Sequence, residues 1–332
     1  MFRRIYARCD MKLKITTRSP LLVQGAQTEE NAEGDKKKTT FFKARDPDDG
    51  REKYCIPATT LKGVWRSTAE RILRTFAPAL ACDPFEEDKD KKHHTSKSCS
   101  KRLEDDPPPD EASAYASVCP ACRLFGSTAH AGLLQIDNAW GPEVALEHPL
   151  SKNTGIAIDR FTGGVKTGAL YDYEIIPANT SFEGRLHLEN MEFWHLGLLA
   201  LACRELSNGR VRIGSGTRRG LGLVDVYWKD AVFQYPANRY LAAASGQEGV
   251  LASAQALADP SDCVAYADQE PWLLPGLQRR DPALSSWWET AWVRFEVNDD
   301  MLQRLQRECV ELALAPKLHK GHVGFAYMPS AR

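Results

Sequence analysis

The chain has 332 residues, 43% of them hydrophobic, and a formal net charge of −1. That apolar share supports a sizeable core, yet no stretch approaches the ~18 apolar residues of a membrane span. A charge near zero excludes a uniformly basic nucleic-acid coat, though not a local basic groove. The first ten residues carry Arg3, Arg4 and Arg8 and no apolar stretch, so no secretory leader is expected, and the expected compartment is the cytoplasm.

From Met11 to Val23, Leu13 and Ile15 alternate against Lys12, Lys14 and Thr16, which predicts a strand. Residues 25–50 are polar and charged and read as a long mobile loop, with Asp46-Pro47-Asp48-Asp49-Gly50 as a turn near its end. Ile56-Pro57-Ala58-Thr59-Thr60 leads into a first helix. Leu61, Val64, Trp65, Ile72, Leu73 and Phe76 share one face of it, and Thr59 or Thr60 is placed to cap it. Lys62, Arg66 and Arg74 lie on another face. Residues 78–118, with His93, His94 and Pro107–Pro109, are poor in apolar side chains and read as an insertion rather than core.

Leu133 to Trp140 predicts a strand. Residues 156–176 place apolar edges around Thr162-Gly163-Gly164 and Thr167-Gly168, the pattern of a projecting hairpin. Phe182–Glu189 alternates as a strand, Met191–Leu206 is a second helix stopped by Asn208-Gly209, and Leu223–Trp228 is a further strand. The order strand, helix, strand, strand, helix, strand is that of an α+β, ferredoxin-like (RRM-like) βαββαβ core. On this reading residues 1–229 form the core, with a zinc insertion at 78–127 and a hairpin at 154–178. Residues 230–332 are a C-terminal extension, with Trp292–Val297 as a candidate strand and Asp299–Leu314 as a candidate helix.

Nine cysteines in a chain of this kind read as thiols and metal ligands rather than disulfides. Cys119-Pro120-Ala121-Cys122 is a C-x-x-C knuckle, and Cys82 and Cys99 lie in the same core-poor insertion. Four thiolates make a closed tetrahedral zinc site, and a polar insertion needs such a staple. His93 and His94 compete as ligands. The segment Ile213-Gly214-Ser215-Gly216-Thr217-Arg218-Arg219-Gly220-Leu221-Gly222 combines glycines with two arginines, which suits phosphate oxygens. It is not a dinucleotide fingerprint, because the spacing after Gly216 is wrong and a strand follows, and it is not a P-loop, because no Gly-Lys-Ser/Thr opens a helix.

Four segments together resemble the RAMP superfamily, the repeat-associated proteins that form the backbone of type III CRISPR effector complexes. They are Ile56-Pro57-Ala58-Thr59-Thr60-Leu61-Lys62-Gly63, Cys119-Pro120-Ala121-Cys122-Arg123-Leu124-Phe125-Gly126-Ser127, Ile158-Asp159-Arg160-Phe161-Thr162-Gly163-Gly164 and the glycine-rich segment. The resemblance covers roughly residues 11–228 and is strongest to the zinc-bearing backbone subunits. It implies that Thr59, Thr60, Lys62, Arg66, Arg218 and Arg219 contact guide-RNA phosphates. It also implies that Phe161 and Thr162 sit near the tip of a thumb that wedges into the guide–target duplex.

Implied partners are guide (CRISPR) RNA, target RNA and other subunits of the complex, with no membrane. Many such subunits cut target RNA with an aspartate in the loop before Ile-Pro, using Mg or Mn. Here the usual position falls near Thr39-Thr40, and Asp35 is the candidate catalytic acid. Three readings stay open: a backbone subunit that cuts, a non-catalytic scaffold of the same complex, and a stand-alone zinc protein acting on a phosphorylated small molecule.

Overall fold

In the computed structural model, the described residues are 4–25, 38–85, 98–144, 150–166, 171–244, 250–263, 272–273, 279–280, 292–297 and 299–314. In chain order the first strands are β1 (Arg8–Thr17), β2 (Lys38–Thr39), β3 (Lys43–Arg45) and β4 (Glu52–Ile56), followed by the helix α1 (Ala58–Phe76). Three short helices come next: α2 (Cys99–Asp105), α3 (Glu111–Ser117) and α4 (Pro120–Phe125). Then come β5 (Leu134–Ile136), β6 (Ala139–Glu143), β7 (Ser151–Gly155), β8 (Tyr171–Ile175), β9 (Ser181–Glu189), α5 (Phe193–Ser207) and β10 (Val224–Pro236). The remaining elements are α6 (Ala237–Ala244), β11 (Val250–Leu251), α7 (Ala254–Leu257), α8 (Pro260–Cys263), β12 (Trp272–Leu273), β13 (Arg279–Arg280), β14 (Trp292–Val297) and α9 (Asp299–Leu314).

The main sheet runs β13-β14-β10-β1-β9-β6-β4-β3, with β5 also paired to β9, and every pairing in it is antiparallel. Strand β1 lies at its middle, flanked by β10 and β9. Its strict alternation explains why: Cys9, Met11, Leu13 and Ile15 are buried on one face, while Lys12 and its neighbours look outward on the other. Helix α5 is buried almost all round, since α1, α9 and β10 all pack against it. The extension beyond residue 230 joins this body, because β14 pairs with β10 and α9 packs on α5. A second, three-stranded sheet, β2-β8-β7, forms the projecting hairpin and its base.

Several sequence expectations change in detail. The stretch at 25–50 is not all loop: β3 and β4 pair across the turn at Asp46–Gly50, with Gly50 at φ 72° and its N–H on Asp46 O at 2.8 Å. The first helix is not capped by Thr59 or Thr60. Pro57 is its N-cap, and the Asn138 side chain accepts the Ala58 N–H at 2.8 Å from the bend before β6. Phe76, expected on the apolar face, is 52% exposed. The insertion is not separate from the core either, as Leu80, Tyr115, Val118, Leu124 and Phe125 belong to the main hydrophobic cluster. Among the described residues, no helix is long and apolar enough to cross a membrane.

Candidate nucleic-acid interface and metal centre

The four cysteines converge. Cys82 follows α1, Cys99 opens α2, Cys119 is the N-cap of α4 and Cys122 lies in its first turn. All four are buried free thiols, and their sulfurs lie within 4.8 Å of one another. Cys82 Sγ is 3.7 Å from Cys122 Sγ and 3.8 Å from Cys119 Sγ. A tetrahedral metal with sulfur ligands at ~2.3 Å has edges of roughly that length, so the donor set fits a metal such as zinc with no position left for substrate. The thiols also perturb one another. Hydrogen bonding from Cys119, then Cys122, holds the Cys99 thiol far below its ordinary value, whereas hydrogen bonding with Cys119, then Cys82, drives Cys122 up. His93 and His94 lie outside the described residues, as does Asp35. Among the described residues no second group of metal-ligating side chains converges in this way.

Helix α1 is bound to this cluster by its basic side chains. Arg66 donates from Nε to Glu70 at 2.8 Å, from Nη1 to Gly126 O at 2.8 Å and from Nη2 toward Cys122 Sγ at 3.6 Å. Arg74 reaches Ala81 O at 3.1 Å, Cys82 O at 2.6 Å and Glu70 at 3.3 Å. Arg66, expected from the resemblance to contact guide-RNA phosphates, thus makes these three contacts within the protein. Thr59 is exposed, and Thr60 and Lys62 are half-buried at the start of the same helix. Burial, and then the neighbouring Arg66 charge, lower the pKa of Lys62.

A buried polar group welds the cysteine segment to α5. His195, fully buried and therefore held neutral, accepts the Glu192 N–H on Nδ1 at 2.9 Å. Its Nε2 then carries the proton and faces the Tyr115 hydroxyl at 3.2 Å, and that hydroxyl donates to Glu192 at 3.0 Å. Arg123 covers the Tyr115 ring at 4.9 Å.

The glycine-rich segment sits against the base of the hairpin. Ser215 donates its N–H to Leu22 O at 2.8 Å, and Leu22, Leu221, Ile175 and Tyr173 form a small apolar cluster between the two. The turn Thr217–Arg219 exposes Arg218 and Arg219. Arg219 is hydrogen-bonded to the Tyr171 hydroxyl, whereas Arg218 makes no hydrogen bond or ion pair among the described residues. At the hairpin tip, the Asp159 carboxylate accepts the N–H groups of Phe161 at 2.8 Å and Thr162 at 2.9 Å, which also lowers its pKa. Phe161 is fully exposed on that turn, flanked by half-exposed Ile158 and Val165.

The four cysteines singled out in the sequence thus converge, and Arg218, Arg219 and Phe161 are exposed. The sequence did not point to Arg102, whose Nη2 lies 3.0 Å from Cys99 Sγ, nor to Asn138 and Tyr171. Tyr171 carried a signal, an aromatic at the hairpin base beside a basic loop; Arg102 and Asn138 carried none. A family model described as the RAMP superfamily matches residues 14–225. A search of curated proteins finds no match to the chain.

Proposed function

Because the chain belongs to the RAMP superfamily, whose members are CRISPR-associated RNA-binding proteins, we propose that it is a guide-RNA-binding backbone subunit of a type III CRISPR ribonucleoprotein. The main support is the basic turn seated on the hairpin base, where Arg218 is exposed with no partner of its own among the described residues. In this reading the strand order β10-β1-β9-β6, with α1 and α5 as its helices, is the ferredoxin-like core. Arg218, Arg219, Lys62, Thr59 and Thr60 hold the guide backbone without reading its sequence, as a carrier of many guides requires. Phe161 and Thr162 enter the guide–target duplex. Zinc on Cys82, Cys99, Cys119 and Cys122 has no catalytic role, because a four-sulfur site leaves the metal no open position.

The test is RNA content and affinity. The purified chain should carry RNase-sensitive absorbance near 260 nm. Arg218→Ala should weaken single-stranded RNA binding and reduce its salt dependence by about 0.7 in slope, the share of one neutralised phosphate. An RNA-free protein whose affinity is unmoved by Arg218→Ala would overturn the reading. Cleavage is a separate question. With guide, target and Mg or Mn, Asp35→Ala should abolish cutting and spare binding if the subunit cuts; the scaffold reading instead requires that wild type leave bound target intact with either metal.

A further inference from the structure

The sulfur cluster has a cationic shell. Arg102 Nη2 lies 3.0 Å from Cys99 Sγ, and the same nitrogen bonds Ser117 O at 3.1 Å. Arg66 Nη2 lies 3.6 Å from Cys122 Sγ. Behind Arg66, Glu70 is shared with Arg74, which in turn holds the carbonyl of Cys82. This chain of contacts runs from one ligand to another along the inner face of α1. Glu70 is almost buried, and the Arg66 and Arg74 side chains are 23% and 37% exposed, so their charges are only partly screened by water.

The signs select what the site can hold. A divalent cation on four thiolates leaves two negative charges, and Glu70 adds a third; Arg66, Arg74 and Arg102 supply three positive charges against them. Four neutral thiols, or two disulfides, would give the Arg66 and Arg102 guanidinium groups no anionic sulfur to face. Arg123, also buried nearby, covers the Tyr115 ring and donates to the carbonyls of Val118 and Ala116.

We propose that Arg66 and Arg102 are positioning residues of the metal centre, each donating an N–H to a coordinating sulfur, and that with Arg74 and Glu70 they match the charge of a divalent tetrathiolate complex. The inference rests on the four cysteines being a metal site. It also assigns Arg66 to the metal rather than to RNA and makes α1 part of the metal's surroundings.

Full-length wild type, Arg102→Met, Arg66→Met and Arg66→Lys would be loaded with zinc or cobalt(II) and titrated against a chromophoric chelator. Wild type should hold one metal per chain. Each Met variant should lose about 10–100-fold in affinity, as substitutions behind metal ligands do, and should shift the sulfur-to-cobalt charge-transfer bands. Arg66→Lys should recover part of both, while Arg51→Met, in a surface pair with Glu143, should change neither. If Arg66→Met fails to fold, Arg102→Met on the short α2 carries the test. A wild type that binds no metal overturns the four-cysteine site itself. One metal in wild type, with affinities and bands unchanged in both Met variants, overturns only the arginine roles. The slope of RNA affinity against salt should be the same in Arg66→Met and wild type; a decrease of about 0.7 would return Arg66 to the RNA.

Discussion

Two glycines of the basic loop separate backbone necessity from mere composition. Gly222 has φ +82°, and a Cβ there would stand 2.1 Å from Ile213 O. Gly220 has φ +92°, but a Cβ there would meet nothing within 4 Å. An alanine at either site carries the left-handed penalty of about 1–2 kcal/mol. At Gly222 the carbonyl of Ile213 must also move, which disturbs the bonds from Ile213 N–H to Gly222 O (3.0 Å) and from Gly222 N–H to Pro20 O (2.9 Å). Those bonds contribute ~1 kcal/mol each. Gly222→Ala is therefore expected to destabilise by roughly 3–4 kcal/mol, about 2 kcal/mol more than Gly220→Ala. At the few degrees per kcal/mol of a domain this size, the gap in Tm is about 4–8 °C. Thermal unfolding followed by circular dichroism, checked by urea denaturation, reads it directly. Equal losses in the two variants, or the larger loss in Gly220→Ala, would refute the packing derived for this loop.

Other consequences are as direct. Stripping the metal with a chelator, or substituting Cys99→Ser, should lower Tm by more than about 10 °C, since a structural tetrathiolate contributes folding free energy outright; metal should restore the stripped wild type. Phe161→Ala should leave Tm unchanged, within about 0.5 kcal/mol, because the ring is fully exposed, yet should weaken guide–target duplex binding. His187 gives a pH signature. Burial opposes its charge, but hydrogen bonds to Asp10 at 2.7 Å and then Asp137 at 3.3 Å raise its pKa. A pKa raised on folding adds stability that is full below the unfolded value of about 6.5 and is lost as pH rises through the folded value. Tm measured from about pH 6 upward should therefore fall less steeply in His187→Gln than in wild type, and parallel curves would remove the role given to those bonds.

The sequence was most informative where one element carries its own pattern. Strand β1 alternates without a break, β9 does likewise, and α5 is apolar enough to require cover on every side. The short β3 has no buried residue to announce it, which is why it was hidden in a polar stretch. The cysteines were legible because thiols are scarce and four fell within one polar segment. The contacts of Arg66 were not, because they are made with Gly126 and Cys122, more than fifty residues along the chain. Helical spacing says which side chains share a face of α1; it cannot say that one such face is turned toward a sulfur cluster.

The two ends of the proposed RNA surface are consequently held by different physics. At the glycine-rich loop, position is set by backbone: positive φ angles and carbonyl contacts with Leu22 and Ile213 leave no room for side chains where the chain crosses itself. At α1, position is set by packing and charge: Leu61 and Trp65 are buried in the core, Arg66, Glu70 and Arg74 tie the helix to the segment holding the cysteines, and Asn138 fixes its first turn. Loss of metal should therefore loosen α1, and with it Lys62, while leaving the loop's own geometry intact. A glycine substitution should do the reverse. A surface assembled from two independently secured pieces can grip a backbone along its length with no continuous groove of positive charge, and so a chain with a net charge of −1 can still bind RNA.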